Sequence, residues 1–174
     1  MDKNQVITFF DKRASDWDCH QERNEEIIAF ILDKGEITKG KKVLDVACGT
    51  GILFPDYLNR GADVSGVDIS SGMLRVAKNK FPDIQLICED AEEYEFEKDY
   101  DAVMIYNAFP HFSNPEKLIG NLGKALKVGG RLTVAHGMSE KELAKCHSTV
   151  AKNISLPLPS KERLADIMSD VFDV

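Results

Sequence analysis

The stretch KKVLDVACGTG (residues 41–51) decides the fold of this chain. Its first part, 41–47, is a short apolar run bounded by Gly40 and Gly49, a pattern typical of a buried parallel strand. The two glycines at the end of the stretch permit a tight turn and let the backbone approach a ligand with no side chain in the way. A helix is predicted from Ile52 to Arg60, so its free amides would point at that ligand.

Strands and helices alternate along the rest of the chain. Further strands are predicted at 63–67, 84–88, 100–106 and 131–135, with helices at 4–14, 22–34, 70–80, 115–127, 140–153 and 160–169. This alternation predicts an α/β protein, a mainly parallel sheet with helices on both faces. In such a sheet the ligand crevice lies at the carboxyl ends of the strands.

Composition limits the classes of function. The 174 residues predict one domain, and 22 Lys plus Arg against 29 Asp plus Glu give a net charge of −7. Nucleic acid is therefore not expected as a partner, because phosphate backbones require clustered positive charge. No apolar run approaches the roughly 20 residues of a membrane helix, so no membrane association is expected.

The four cysteines favour a cytoplasmic protein. They are Cys19, Cys48, Cys88 and Cys146, and no two of them form a Cys-x-x-Cys pair. Reduced thiols, buried where they adjoin apolar runs, are the expected state. The N-terminus MDKNQVITFFDKR lacks the apolar segment of a signal peptide.

The glycine turn differs from the known phosphate-binding fingerprints. The dinucleotide pattern G-x-G-x-x-G requires a third glycine where this chain has Phe54. Asp45 is expected to direct a carboxylate at the place of a pyrophosphate, which suits instead a ligand with an ammonium group, such as the methionine part of S-adenosylmethionine. A P-loop is excluded because no Gly-Lys-Ser/Thr follows.

Two acids follow the next two strands. Asp68 ends the second strand, where its carboxylate can accept both hydroxyl hydrogens of a ribose; a helix-capping or solvent-facing acid is the alternative. Asp90 follows the third strand and can accept an adenine amine, with the Ala91 amide beside the ring. The alternative for Asp90 is a solvated acid in the acidic run 89–97.

Together these motifs resemble a known family. VLDVACGTG (43–51), VSGVDIS (64–70), EDAEEYEF (89–96), YDAVMIYNAF (100–109) and LKVGGRLTVAH (126–136) are similar, in order and spacing, to the motifs of class I S-adenosylmethionine-dependent methyltransferases. The resemblance is to the small-molecule branch related to the quinone-biosynthesis enzymes, and FFDKRASDWD (9–18) resembles the helical lid of that branch. It covers nearly the whole chain and implies a Rossmann-like three-layer α/β/α sandwich.

The resemblance also implies a pocket for S-adenosylmethionine. The residues expected to form it are Trp17, Asp45, Ala47, Cys48, Gly49, Gly51, Asp68, Ile69, Met73, Asp90, Ala91 and Asn107. Ile69 and Met73 would flank the adenine, Asn107 would lie at the methionine end, and Trp17 would close over the site from the lid. Ala47 stands where glycine is commonest in the family.

The ends of the chain carry two further expectations. Residues 1–35 are expected to form the helical lid and 36–174 the core of a single methyltransferase domain. Family members usually finish with two more strands, whereas this sequence stops at Val174, where the first of them should begin; either the sequence is trimmed or the strand pair is missing. If the pair is missing, the fifth strand has an unpaired edge, and self-association into a homo-oligomer, or marginal stability, is expected.

Histidines are the candidates for a general base, which methyl transfer to a hydroxyl or an acidic carbon requires. His111 and His136 follow the fourth and fifth strands and are predicted to be catalytic; a polar structural role is the alternative. Together with His147 they could form a three-nitrogen metal site, but their spacing matches no standard metal motif, so no metal is predicted.

The sequence therefore predicts methyl transfer to a small-molecule acceptor that it does not identify. Two alternatives stay open: an S-adenosylmethionine-binding protein of the same fold without methyl transfer, and a nicotinamide-dependent oxidoreductase, which Phe54 and Asp45 disfavour.

Overall fold

A computed structural model describes residues 1–21, 23–139 and 153–174. The helices are α1 (Lys3–Asp11), α2 (Glu25–Lys34), α3 (Phe54–Asn59), α4 (Ser71–Lys80), α5 (Pro115–Ala125) and α6 (Lys161–Ser169), with short 3-10 turns at Trp17–His20 and Phe109–His111. The strands are β1 (Lys42–Val46), β2 (Asp63–Asp68), β3 (Gln85–Cys88), β4 (Tyr100–Tyr106) and β5 (Leu126–Ala135).

The strands form one parallel sheet in the order β3-β2-β1-β4-β5. The chain proceeds outward from β1 to β3 and then returns to add β4 on the other side of β1. This reversal opens a crevice at the carboxyl ends of β1 and β4, the usual ligand position in such sheets. The prediction of a mainly parallel α/β sheet is confirmed.

Alternate residues of the strands face two different helical layers. One core joins Val43, Ala102 and Met104 of the sheet to α2, α3 and α4. The other joins Leu44 and Val103 to α5 and α6. The result is the expected α/β/α sandwich, in which the central strands β1 and β4 are covered on both sides.

Several element boundaries differ from the prediction. Helix α2 begins at Glu25 rather than at residue 22, because the Asn24 side chain accepts a hydrogen bond from Ile27 N at 3.0 Å and fixes the start. Strand β5 already begins at Leu126, opposite Tyr100, where a helix was predicted to continue to residue 127. An irregularity then shifts the register before Arg131.

The helix predicted at 140–153 lies almost entirely outside the described residues. Helix α6 agrees closely with the prediction for 160–169, and the Ser160 side chain caps it by accepting from Arg163 N at 3.2 Å. None of the helices in the described part of the chain is long and apolar enough to cross a membrane.

Candidate functional site

A pocket of about 680 Å³ lies over the carboxyl ends of β1, β2, β3 and β4. Its floor comes from the loops that follow these strands, and its roof comes from residues 3–21, which we call the N-terminal segment. This volume lies within the range of small-molecule and cofactor sites.

Most of the predicted site residues meet at this pocket. Those that line it are Trp17, Ala47, Cys48, Gly49, Asp68, Ile69, Met73, Asp90, Ala91, Asn107 and His111. Three others, Asp45, Gly51 and His136, are not on its wall.

Asp68 is held in place by the glycine turn. Its Oδ2 accepts a hydrogen bond from Gly49 N at 2.8 Å, and its Oδ1 accepts one from Ser70 N at 2.8 Å. A carboxylate offers about four acceptor positions, so this arrangement leaves capacity for two more donors, such as the neighbouring hydroxyls of a ribose.

The surroundings of Asp68 shift its pKa towards neutral pH. Burial raises the pKa of Asp68 to about 6, the amide hydrogen bonds from Ser70 and Gly49 oppose this rise, and the negative charge of Asp11 adds to it. The carboxylate is therefore a full acceptor above pH 6 and becomes partly a donor below it.

The turn itself uses backbone conformations that favour glycine. Ala47, Gly49 and Gly51 have φ of 55°, 55° and 80°. Among the described residues, no atom beyond its chain neighbours lies within 4 Å of the position that a Cβ on Gly49 would occupy, which leaves open space for a ligand against the backbone. A Cβ on Gly51 would lie 2.5 Å from Phe54 Cδ2, so this glycine serves the packing of the Phe54 ring.

Phe54, which stands in place of a third glycine, is fully buried. Its ring reaches β2, where a Cβ on Gly66 would lie 2.9 Å from Phe54 Cζ and 2.7 Å from Cys48 Sγ. The Phe54 ring therefore fills the space between the turn and β2, which is open because Gly51 and Gly66 carry no side chains.

Asp45 lies behind the turn instead of at the pocket wall. It is only 3% exposed and faces the side of the sheet that carries Tyr57 of α3. Burial raises the pKa of Asp45 well above its usual range, and the negative charge of Asp68 adds to the effect. A ligand ammonium is thus not placed directly on this carboxylate, because Asp45 lies two register positions before Asp68 and is buried beneath the turn.

Asp90 is bound by the N-terminal segment. Its Oδ2 accepts from Lys3 Nζ, and its Oδ1 accepts from Glu92 N at 3.0 Å. Glu92 is 2% exposed and also binds Lys3 Nζ at 2.6 Å. Although burial opposes it, hydrogen bonds to Asp90 and Glu92 raise the pKa of Lys3 well above its usual value.

Two further anchors fix the N-terminal segment. Asp11 Oδ1 accepts from Ser70 Oγ at 2.6 Å and from Gly72 N at 2.8 Å, at the start of α4. Asp18 accepts from Thr50 Oγ1 and from Lys80 Nζ, at 2.7 Å in the second case. Lys3, Asp11 and Asp18 therefore reach the loops after β3, β2 and β1 respectively.

Aromatic side chains line the roof near the loop after β4. The Phe10 ring meets Trp17 edge-on, with 5.3 Å between centroids, and meets His111 at 5.1 Å. Val6, Phe9 and Phe112 add apolar surface to the same pocket. This end can exclude water from a reacting group.

His111 lies at the pocket, and its Nδ1 atom is hydrogen-bonded. Its Nδ1 lies 2.8 Å from Ile154 O and 3.1 Å from Ser155 Oγ. Because a carbonyl only accepts, Nδ1 carries the proton and Nε2 is the basic nitrogen of the neutral ring.

The three-histidine site is not assembled by the described residues. His136 follows β5 but is not on the pocket wall, and His147 lies outside the described residues. Within the ranges that the structure describes, no group of three His, Cys, Asp or Glu is arranged to hold a metal ion.

The loop after β4 is fixed at Asn107, which has a φ of 56°. Asn107 N donates to Ala135 O at 2.9 Å, and its Oδ1 accepts from Gly137 N at 2.7 Å. These bonds hold the ends of β4 and β5 together and place Asn107 at the pocket.

Sequence reasoning missed the residues that hold the roof. Lys3, Asp11 and Asp18 are ordinary charged residues of a polar N-terminal stretch. Their spacing of eight and seven residues, along a segment expected to form a lid over the site, was the available signal. Glu92 was hidden inside the acidic run 89–97, where nothing distinguishes a buried acid from a solvated one.

Comparison with known proteins places these features in a family. A family model described as "Methyltransferase domain" matches residues 43–130. Demethylmenaquinone methyltransferase of Paenarthrobacter aurescens is 33% identical over 138 residues, covering 76% of this chain and 54% of that protein. Malonyl-[acyl-carrier protein] O-methyltransferase of Acetivibrio thermocellus is 27% identical over 165 residues, covering 90% of this chain and 58% of that protein.

A solved structure gives the same result for the fold. Phosphoethanolamine N-methyltransferase 2 of Haemonchus contortus, in complex with S-adenosyl-L-methionine, superposes with a TM-score of 0.68 at 26% identity, covering 85% of this chain and 36% of that one. The expected Rossmann-like class I fold is confirmed. The chain spans about half the length of the curated relatives it matches.

Proposed function

Because the chain belongs to the methyltransferase-domain family, we propose that it transfers the methyl group of S-adenosylmethionine to a small-molecule acceptor. The observation that carries this proposal is the hydrogen bond from Gly49 N to Asp68 Oδ2, which joins the glycine turn and the strand 2 acid in one site.

The residues present fit this cofactor. Asp68 keeps acceptor capacity for two ribose hydroxyls, and Gly49 leaves open space against the backbone. Asp90 would receive the adenine amine beside Ala91, and Asn107 would lie at the methionine end. When bound, S-adenosylmethionine supplies a methyl group already activated by a sulfonium.

The protein's own contribution is to position the acceptor, exclude water and move a proton. The aromatic roof around Phe10 would shield the reacting groups. His111 would take a proton from the acceptor at Nε2, while Nδ1 stays bound to Ile154 O and keeps the ring oriented. We assign this role to His111 over His136, because His111 lines the pocket and His136 does not.

Two alternative functions are binding of S-adenosylmethionine without methyl transfer and nicotinamide-dependent oxidoreduction. Binding of S-adenosylmethionine without methyl transfer would use the same pocket, so only an activity assay distinguishes it. A nicotinamide-dependent oxidoreductase is disfavoured by the Phe54 ring, which fills the space that the close helix–strand approach of a dinucleotide site requires. The Asp45 carboxylate does not disfavour an oxidoreductase, because it lies off the pocket wall and would not face a pyrophosphate.

We also propose a single domain with an N-terminal lid, self-association and a cytoplasmic location. A single domain with residues 1–35 as its lid agrees with a roof formed by residues 3–21. Self-association is supported by β5, an edge strand of the described sheet, and by Val128 within that strand, which is 94% exposed. The free thiols of Cys19, Cys48 and Cys88 support the expected cytoplasmic location.

Calorimetric titration tests the cofactor directly. We expect S-adenosylmethionine and S-adenosylhomocysteine to bind and NAD to give no heat. Incubation with methyl-labelled S-adenosylmethionine and a panel of phenols, quinols, carboxylic acids and amines should then yield S-adenosylhomocysteine with at least one acceptor. Binding of NAD in preference to S-adenosylmethionine would overturn the proposal, and binding without turnover across the panel would favour the non-transferring alternative.

A further inference from the structure

One carboxylate joins the N-terminal segment to the loop after β2. Asp11, the last residue of α1, accepts hydrogen bonds at Oδ1 from Ser70 Oγ and Gly72 N. Ser70 is fully buried, and a Cβ on Gly72 would lie 2.8 Å from Asp11 Oδ1. This contact is therefore a closely packed, specific junction between the roof and the first turn of α4.

The junction continues to the floor of the pocket. Ser70 binds Asp11 through its hydroxyl and Asp68 through its backbone N–H, and Asp68 in turn binds Gly49 N. A continuous series of hydrogen bonds thus runs from the N-terminal segment to the glycine turn. Asp11 itself does not line the pocket, so it acts only through Ser70.

We propose that Asp11 is a positioning residue that couples closure of the N-terminal segment to the formation of the nucleoside site. With Asp11 bound to Ser70 and Gly72, the segment covers the pocket and Ser70 holds the Asp68 carboxylate in the orientation that receives the ribose. This inference rests on the proposed function, because it takes the ribose of S-adenosylmethionine as the ligand of Asp68.

The same contact places two acids close together. Three other ionisable groups face Asp68, and its charge raises their pKa values: Asp45 of β1, Cys48 of the turn after β1 and Cys88 of β3. The pKa of Asp68 itself is raised by burial and then by the charge of Asp11. Closure of the segment should therefore move the loss of nucleoside affinity on acidification to a higher pH.

Two variants separate the hydrogen bonds from the charge. Asp11→Asn keeps an oxygen acceptor for Ser70 and Gly72 but removes the negative charge, whereas Asp11→Ala removes both. Asp83→Asn is the matched control: it deletes one exposed carboxylate just before β3, at the opposite end of the sheet from the pocket.

The first measurement is the affinity for S-adenosylhomocysteine by calorimetry from pH 5 to pH 8. Wild-type protein should lose affinity as the pH falls below about 6, where Asp68 becomes protonated. Asp11→Asn should lose it at a lower pH, Asp11→Ala should bind roughly tenfold more weakly at pH 7.5, and Asp83→Asn should match the wild type. A merely structural Asp11 would not move the pH profile in the asparagine variant.

The second measurement needs no ligand. Trp17 is the one tryptophan of the chain, lines the pocket and packs against Phe10, so its fluorescence reports the position of the N-terminal segment. Acrylamide should quench Trp17 more strongly in Asp11→Ala than in the wild type or in Asp83→Asn. If Asp11→Ala does not fold, as judged by circular dichroism, the pH profile of Asp11→Asn decides.

The outcomes distinguish the two proposals. If wild-type protein binds no S-adenosylhomocysteine at any pH, the proposed function fails, and unchanged quenching would show that Asp11 does not hold the segment either. If the wild type binds but the Asp11 variants keep its affinity, its pH profile and its quenching, the coupling is refuted while the proposed function stands.

Discussion

Gly49 N donates a hydrogen bond of 2.8 Å to Asp68 Oδ2, so the glycine turn after β1 and the acid at the end of β2 form one structural unit. The turn fixes the rotamer of the acid, and the acid satisfies the Gly49 amide of the turn. A nucleoside recognised at this point would contact both partners at once, and this geometry underlies the first prediction.

Asp68→Ala should weaken the binding of S-adenosylhomocysteine by about 1.5–3 kcal/mol, the usual contribution of hydrogen bonds to a charged group. Titration calorimetry at pH 7.5 measures the change, since the wild-type carboxylate is ionised there. Asp63→Ala removes an exposed acid at the other end of β2 and should leave the affinity unchanged. Equal affinities for Asp68→Ala and wild type would show that the ribose is bound elsewhere.

His111→Ala should lower kcat by roughly 10²–10⁴-fold, the usual contribution of a general base, while leaving the affinity for S-adenosylhomocysteine within about threefold. His136→Ala, on a residue away from the pocket wall, should keep most of the activity. Both are measured with whichever acceptor the panel identifies. A larger loss in His136→Ala than in His111→Ala would exchange the roles assigned to the two histidines.

The sheet and the position of the pocket were predictable because they depend on local patterns. An apolar run ending in glycines reveals β1 on its own, and Asp68 was found because a carboxylate directly after a strand must lie at the crevice. Contacts between distant segments were not predictable in the same way. Nothing within a few residues of Lys3 indicates that it reaches Asp90 and Glu92.

Asp45 shows a different limit. Its place at the end of a strand beside a glycine turn is similar to that of Asp68, yet its side chain is buried behind the turn, off the pocket wall. The parallel register pairs Asp45 with Gly66, so both acids face the same side of the sheet and Asp45 lies two positions further from the carboxyl end. A shift of two positions along the strand therefore decides between a ligand contact and a buried acid. The residue type alone does not settle that choice.

Gly66→Ala should destabilise the protein by about 1–3 kcal/mol, because the new Cβ would meet Cys48 Sγ at 2.7 Å and Phe54 Cζ at 2.9 Å in a packed core. Urea denaturation measures the loss. Adding Phe54→Leu should give a double variant that is more stable than the sum of the two single changes predicts.

Gly120→Ala in α5 is the control for that series, since no atom of a neighbouring element in the described ranges lies within 4 Å of its Cβ position. This variant should be more stable than the wild type by about 0.5–1 kcal/mol, the usual gain of alanine over glycine within a helix. Additive effects of Gly66→Ala and Phe54→Leu would mean that the ring is not what excludes a side chain at position 66.

Asp45→Asn should stabilise the protein at pH 8 by several degrees in melting temperature, and the gain should shrink towards pH 5. The pKa of Asp45 is raised in the folded chain by burial and by Asp68, so the folded state binds the proton more tightly than the unfolded state does. Wild-type stability therefore rises as the pH falls through this pKa, whereas asparagine is neutral throughout.

Thermal melts at pH 5 and pH 8 measure the difference. Asp63→Asn, which removes an exposed carboxylate on the neighbouring strand, should show no such trend. A loss of stability in Asp45→Asn that is equal at pH 5 and pH 8 would show that Asp45 is retained as a stabilising anion.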